Sequence, residues 1–191
     1  MLNNSTIKSI INDSIKAKSL LLDDQNIINM IDQISNVIYN CFLNEGKLMI
    51  AGNGGSAGDS QHLAAEFTGR FEKERKPLPA IALTTDTSAL TAISNDYAFE
   101  NIFSRQIIGL AKNNDIFLGL TTSGKSKNIL NALSESKKRG VLTVSLCGSY
   151  SKDLEKFSDY IISVPSNNTA RIQECHLLIL HIICSLVEKN F

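Results

Sequence analysis

The sequence predicts an α/β fold, a three-layer sandwich in which a mostly parallel sheet is covered by helices on both faces. Three observations predict it. Short apolar stretches (KLMIA at 47–51, AIAL at 80–83, DIFLGL at 115–120, VLTVSL at 141–146, YIISV at 160–164) alternate with segments of helical periodicity. These stretches are apolar throughout rather than alternating, the pattern of strands buried on both faces. A chain of 191 residues that is 43% hydrophobic is long enough for one domain with a sizeable core.

The elements follow in order. Ile7, Ile10, Ile11 and Ile15 form one stripe, so Ser5–Lys18 reads as a helix. Asp23-Asp24 signals a second start, and apolar residues from Ile27 to Phe42 carry the period to Asn44, where Gly46 ends it. Residues 1–45 are thus a helical segment preceding the first strand; its broad stripes can cover the sheet or meet another copy of the chain. The opening MLNNSTIKSIINDSIK is polar and amphipathic, unlike a secretory leader. No stretch is expected to span a bilayer, because even Leu177–Val187 is interrupted by His181. Lys plus Arg balances Asp plus Glu, 19 against 19, so no basic field argues for nucleic acid or anionic membrane. Cys41, Cys147, Cys175 and Cys184 form no CxxC and sit in apolar patterns, as reduced thiols of a cytoplasmic protein do.

The chain is organised around AGNGGSAGDSQHLAAEF at 51–67. Gly52, Gly54 and Gly55 open a turn after the first strand, where backbone can approach a ligand. Ser56 and Asp59 are expected to cap the helix that follows. His62, Glu66 and Arg70 stand four residues apart and would share one helix face, with Asp59 placed to orient the His62 imidazole. The stripe reads as a proton-transfer site, a metal site, or a solvated face with a Glu–Arg pair. GNGGSA also fits G-x-G-x-x-A, but the acid that a dinucleotide site needs roughly 20 residues on is missing; Asp86, at the end of the next strand, lies much further along.

Beyond Pro77 and Pro79, helices are expected over Ser88–Ser94 (broken by Asn95-Asp96), Ile102–Ala111, Lys127–Arg139 (closed by Gly140), Lys152–Phe157 and Thr169–Lys189. GLTTSGKS at 119–126 satisfies the P-loop pattern, a remote nucleotide-kinase reading. Gly119 belongs to the apolar strand, however, and no later strand ends in an Asp suited to magnesium. The loop still offers four hydroxyls, from Thr121, Thr122, Ser123 and Ser126, at a strand-to-helix turn, which favours a phosphate cradle over simple capping.

Taken together, GNGGSAGDSQHLAAEFTGRF, SNDYAFENIFSRQI, TTSGKS and TARIQECHLLILHIICSLVE resemble the bacterial phosphoheptose (sedoheptulose-7-phosphate) isomerases of the sugar isomerase, or SIS, domain family, over nearly the whole chain. The resemblance implies a single SIS domain over 1–191, with a flavodoxin-like, five-stranded parallel sheet in an α/β core and a long C-terminal helix. It implies a cytoplasmic homotetramer with interfacial active sites, no nucleic-acid or membrane partner, and interconversion of sedoheptulose 7-phosphate and D-glycero-D-manno-heptose 7-phosphate. That is the first step toward the nucleotide-activated heptose of lipopolysaccharide cores and surface glycans. It assigns substrate binding to Asn53, Gly54, Gly55, Ser56, Glu66, Arg70, Asn95, Asp96, Thr121, Thr122, Ser123, Ser126 and Gln173. It assigns one zinc per subunit to His62, Glu66, Gln173 and His181, and acid–base chemistry to Glu66 and His181. The phosphate loop departs from the family's pattern at Thr121 and Lys125, where Ser and Asn are usual. Two features sit uneasily with the implied zinc set. Gln173 and His181 are about 12 Å apart along an ideal helix, and Gln is a poor zinc ligand; His181, taken without the resemblance, would read as a buried helix histidine bonded to a carbonyl. The rival family member, a non-catalytic SIS protein that binds the replication initiator, typically lacks the carboxylate, so Glu66 discriminates. A regulatory sugar-phosphate sensor would carry a DNA-binding segment.

Overall fold

The computed structural model describes residues 4–191; residues 1–3 of the predicted N-terminal helical segment lie outside the described residues. Five strands form one sheet: β1 (Leu48–Gly52), β2 (Ala80–Ala82), β3 (Ile116–Thr121), β4 (Leu142–Cys147) and β5 (Tyr160–Ser163). All neighbours are parallel, in the order β2-β1-β3-β4-β5. The helices are α1 (Asn4–Asp23), α2 (Gln25–Leu43), α3 (Gly55–Thr68), α4 (Thr87–Asp96), α5 (Ser104–Leu110), α6 (Lys127–Lys138) and α7 (Thr169–Glu188).

The continuous apolar strands divide by alternation. Leu48, Ile50, Leu118 and Leu120 pack toward α1, α2, α3 and α7, whereas Met49, Ala51 and Phe117 pack toward α5 and α6. Two apolar layers on the two faces of one sheet are the three-layer sandwich the sequence predicts. Gly119, the fourth residue of β3, lets α6 approach closely, since a Cβ there would lie 2.8 Å from Ile129 Cγ2.

Several boundaries move. α1 and α2 are separated only by Asp24, whose carboxylate caps α2 by accepting from the N–H groups of Asn26 and Ile27. α1 buries only Ala17 and Leu21, while Ile7, Ile10, Ile11 and Ile15 are each half or more exposed. α4 continues through Asn95-Asp96, and a 3₁₀ turn at Phe99–Asn101 precedes α5. Lys152–Phe157 is a run of turns rather than a helix. Thr143 on β4 donates its hydroxyl to the Phe157 carbonyl and its N–H to the Asp159 carboxylate, drawing the chain onto the start of β4 before a second helical turn can form. α7, contrary to expectation, is long and apolar enough to cross a membrane by length and composition, with mean hydropathy 1.4. Its apolar face instead packs in the core against the sheet-covering helices and strands.

One buried ion pair joins the ends of α3 and α7. The Glu188 carboxylate accepts the N–H groups of Phe71, Glu72 and Lys73, and faces Arg75 Nε at 3.2 Å. The Arg75 guanidinium also donates to the carbonyls of Glu66 and Phe67, each at 2.8 Å. Both side chains are almost fully buried, at 2% and 3% exposure. Burial alone would raise the Glu188 carboxyl, but three backbone donors and the guanidinium more than offset it and hold it below the ordinary carboxylate range.

A carboxyl whose folded pKa is depressed stabilises above its unfolded pKa of about 4.3 and loses that contribution as pH falls through the folded value. Glu188→Gln should therefore cost about 3–5 kcal/mol at neutral pH, because it strands a buried guanidinium. The gap between variant and wild type should narrow in acid. Urea melts across pH check both; a variant as stable as wild type at pH 7 would show that the pair does not stabilise the fold.

Candidate active site

The glycine turn is built by geometry only glycine accepts. Gly54 has φ +56 and ψ −122, and a Cβ on Gly52 would lie 2.5 Å from the Ser56 carbonyl. The turn closes on itself, Ser56 N–H to Asn53 O and Ala57 N–H to Gly54 O, both at 3.0 Å. Neither Ser56 nor Asp59 therefore caps α3, contrary to expectation. Ser56 is buried, and Asp59 Oδ2 is buried without a hydrogen-bond partner among the described residues, so no bond from that oxygen orients His62.

Strand order places the crevice. The connections leaving β1 and β3 run to opposite sides at their C-terminal ends, the switch point where open α/β sheets bind ligands. Asn53 and Asn128 exchange amide hydrogen bonds across it, at 2.9 and 2.8 Å, tying the glycine turn to the first turn of α6. Thr121 Oγ1 and Ser126 Oγ, 2.9 Å apart, close the hydroxyl loop, so Ser126 does not cap α6 with its side chain. A cleft of about 510 Å³ opens between Asn53, Phe99, Ser126 and Asn128. A smaller cavity of about 200 Å³ lies on the other side of the loop, walled by Thr122, Ser123, Ser149, Tyr150 and Thr169. A third, of about 310 Å³ beside Cys41 and Asn114, opens at the opposite end of the sheet and holds none of the candidate residues.

α3 and α7 run parallel and bring the remaining chemistry together. His62 Nε2 lies 2.8 Å from His181 Nε2 and 3.2 Å from Glu66 Oε1. Ligand atoms of all three side chains fall within 4.8 Å of one another. The Phe71 ring stacks on His181 at 5.3 Å between centroids. His62 is exposed, whereas Glu66 and His181 are half-buried.

Other predicted residues take different places. Arg70 lies beyond α3, which Gly69 terminates, so the three-residue stripe is a His62–Glu66 pair, and Arg70 faces Glu74 at 3.7 Å. Gln173 lies over the start of α3; a Cβ on Gly55 would be 2.7 Å from its Nε2. Gly55 is seven residues before His62, about 10 Å along α3. Within one subunit, Gln173 therefore stands apart from the His62–Glu66–His181 group. Asn95 and Asp96 are exposed and bonded to each other at 2.8 Å, while the cleft wall is formed by the Ala98–Glu100 segment just beyond them. The buried helix histidine is His176 rather than His181. Its Nε2 lies 3.2 Å from the Cys147 carbonyl, and burial pushes its pKa down to about 4, so it is neutral. Sequence reasoning missed Asn128, Phe71, Arg75 and Glu188; only Asn128, two residues after the hydroxyl loop, carried a local signal.

Two imidazole nitrogens and a carboxylate form a donor set used by catalytic zinc, which keeps a fourth position open. The two nitrogens stand closer than the roughly 3.3 Å expected between tetrahedral ligands with zinc–nitrogen bonds near 2.05 Å. A rotation of the exposed His62 ring makes up the difference, so these residues fit a zinc ion.

A model of the SIS domain matches residues 16–148. The phosphoheptose isomerase of Sulfurimonas denitrificans is 48% identical over 184 residues, 96% of this chain and 94% of that protein. The chain belongs to the phosphoheptose isomerases of the SIS domain family. A relative from Aneurinibacillus thermoaerophilus is 47% identical over 97% of this chain and 94% of its own. The solved phosphoheptose isomerase of Francisella tularensis, 37% identical, superposes with TM-score 0.93 over 99% of this chain and all of that one. Phosphoheptose isomerase GmhA from Neisseria gonorrhoeae gives 0.90 at 37% identity, over 97% and 98%. In this SIS domain GLTTSGKS is no P-loop, because Gly119 sits inside β3, paired with Ala51 and Ser145, rather than at the mouth of the turn.

Proposed function

We propose that the chain is an aldose–ketose isomerase that interconverts D-sedoheptulose 7-phosphate and D-glycero-D-manno-heptose 7-phosphate. It acts in the cytoplasm, as one SIS domain over 1–191, toward nucleotide-activated heptose for lipopolysaccharide or surface glycans. The observation that carries this is the Glu66 carboxylate set against two imidazoles, in a chain similar to phosphoheptose isomerases along nearly its whole length.

The Thr121–Ser126 loop holds the phosphate through hydroxyls and backbone at the N-terminus of α6. Asn53, Gly54, Gly55, Ser56 and Gln173 line the sugar between that anchor and the chemistry, with Asn95, Asp96 and Arg70 closing from the rim. Glu66 takes a proton from C1 of the ketose, and the electron pair forms the C1–C2 double bond of an enediolate. Glu66 returns the proton to C2, while His181 carries a proton from the C1 oxygen to the C2 oxygen. His62, Glu66 and His181 would hold a zinc ion, which would supply Lewis-acid polarisation of the sugar oxygens. Glu66 also speaks against the non-catalytic, initiator-binding alternative, which typically lacks a carboxylate at this position.

The exposed Ile7, Ile10, Ile11 and Ile15 stripe and the open side of His62 support a homotetramer with sites at subunit interfaces. Light scattering should give a tetramer, and Ile11→Glu with Ile15→Glu should give a smaller, less active species. An active wild-type monomer would refute the arrangement.

Zinc should bind at one site per subunit. His181→Ala should weaken it by more than the roughly 10–100-fold that loss of an outer-shell partner costs. Competition with a chromophoric chelator reads this directly, and unchanged affinity in the variant would place the metal elsewhere.

Glu66→Gln should lower kcat about 10²–10⁴-fold while leaving phosphosugar affinity much less affected. In deuterated water the wild type should place solvent deuterium at C2 of the aldose, and Glu66→Gln should suppress that label along with turnover. Near-normal labelling by the variant would dismiss Glu66 as the base.

A further inference from the structure

The hydroxyl loop contains one cation whose position the mechanism does not use. Among the described residues no carboxylate pairs with Lys125, whereas neighbouring Lys127 faces Glu100 at 3.5 Å. The Lys125 ammonium instead lies over the Tyr150 ring, 4.3 Å from its centroid. The backbone fixes this meeting. Gly124 has φ +66, and a Cβ there would lie 2.1 Å from the Tyr150 carbonyl oxygen, so the loop after β4 seats directly on the hydroxyl loop. Tyr150 Oη is in turn 3.3 Å from Asp153 Oδ2, which steadies the ring.

Tyr150 is also a wall of the 200 Å³ cavity that Thr122 and Ser123 line, and none of the residues lining that cavity is charged. Lys125 thus sets its ammonium on an aromatic ring that walls a neutral, hydroxyl-lined concavity. We infer that Lys125 is a specificity-determining residue for the phosphate monoester, its ammonium parked on Tyr150 in the free protein and turned onto the phosphate dianion when the sugar binds. This rests on the reading that the Thr121–Ser126 loop is the phosphate anchor. An exposed cation–π contact is weaker than a charge-assisted bond to phosphate, so the exchange runs downhill. The flexible four-carbon stem allows it without moving backbone. Tyr150 thus holds the ammonium beside the loop without neutralising it, as a carboxylate would.

The test compares KM for sedoheptulose 7-phosphate and competitive inhibition by inorganic phosphate in wild type, Lys125→Met, Lys125→Arg and Ser126→Ala, at low and high salt. Lys125→Met should raise both KM and the phosphate inhibition constant about tenfold with kcat little changed. It should also flatten their rise with salt. Lys125→Arg should restore most of the loss; a merely structural contact would move neither the salt slope nor the phosphate constant. If Ser126→Ala raises KM while Lys125→Met leaves KM and its salt dependence as in wild type, the role of Lys125 is overturned and the anchor stands. If neither variant changes KM or phosphate inhibition, the anchor reading fails and takes this inference with it.

Discussion

The structure depends on one buried ion pair at the shared end of two parallel helices. Arg75 takes the carbonyls of Glu66 and Phe67, the last turn of α3, and Glu188 sits two turns beyond His181 on α7. Binding these two ends fixes the register between helices that contact each other only along one side. The clamp reaches further through Phe71. Its N–H goes to the Glu188 carboxylate, and its ring stacks on His181. A bulky carboxylate and guanidinium in the core cost desolvation, but each has several backbone partners. The cost is met by partners that are themselves the helix ends the site needs held.

α7 then acts as a ruler. Thr169 and Ile172 face the cavity beside the hydroxyl loop, Gln173 lies over Gly55, and His181 meets His62. Between Gln173 and His181 the helix rises about 12 Å, and α3 spans nearly the same interval between Gly55 and His62. The spacing that makes convergence on one ion difficult within a subunit is the spacing that sets the glycine turn apart from the His62–Glu66–His181 group. On the proposed reading, binding energy gained at the phosphate end is spent on holding C1 and C2 at the Glu66 carboxylate, which is where it raises rate rather than affinity.

The fold was legible because each of the five strands is an apolar run between loops, and a strand buried on both faces has no other signature. What escaped was non-local. Arg75 and Glu188 are 113 residues apart, and neither stands in a motif. The Lys152–Phe157 turns have helical composition, but Thr143 on β4 bonds the Phe157 carbonyl at their end and the Asp159 carboxylate just beyond them. Arg70 continues the four-residue period on paper, but the period outlives the helix, since Gly69 ends it. The site's residue types were visible through the glycine turn and the resemblance. Their grouping required the parallel α3–α7 pair, which no local pattern encodes.

The two histidines of α7 show why. They are five residues apart, about 140° around the helix, and α7 is apolar on most of its circumference, so periodicity does not say which of them faces chemistry. The surroundings decide. His176 is fully buried, bonded by Nε2 to the Cys147 carbonyl, and desolvation keeps it neutral far below ordinary pH. It serves packing at the end of β4. His181 is half-buried, opposite an imidazole and near a carboxylate, with an aromatic face behind it. There a proton or a cation has a partner at hand, because two of the groups beside the ring, the His62 imidazole and the Glu66 carboxylate, can donate or accept. One kind of side chain on one helix thus meets two surroundings, a single fixed carbonyl at His176 and, at His181, groups able to exchange what they hold.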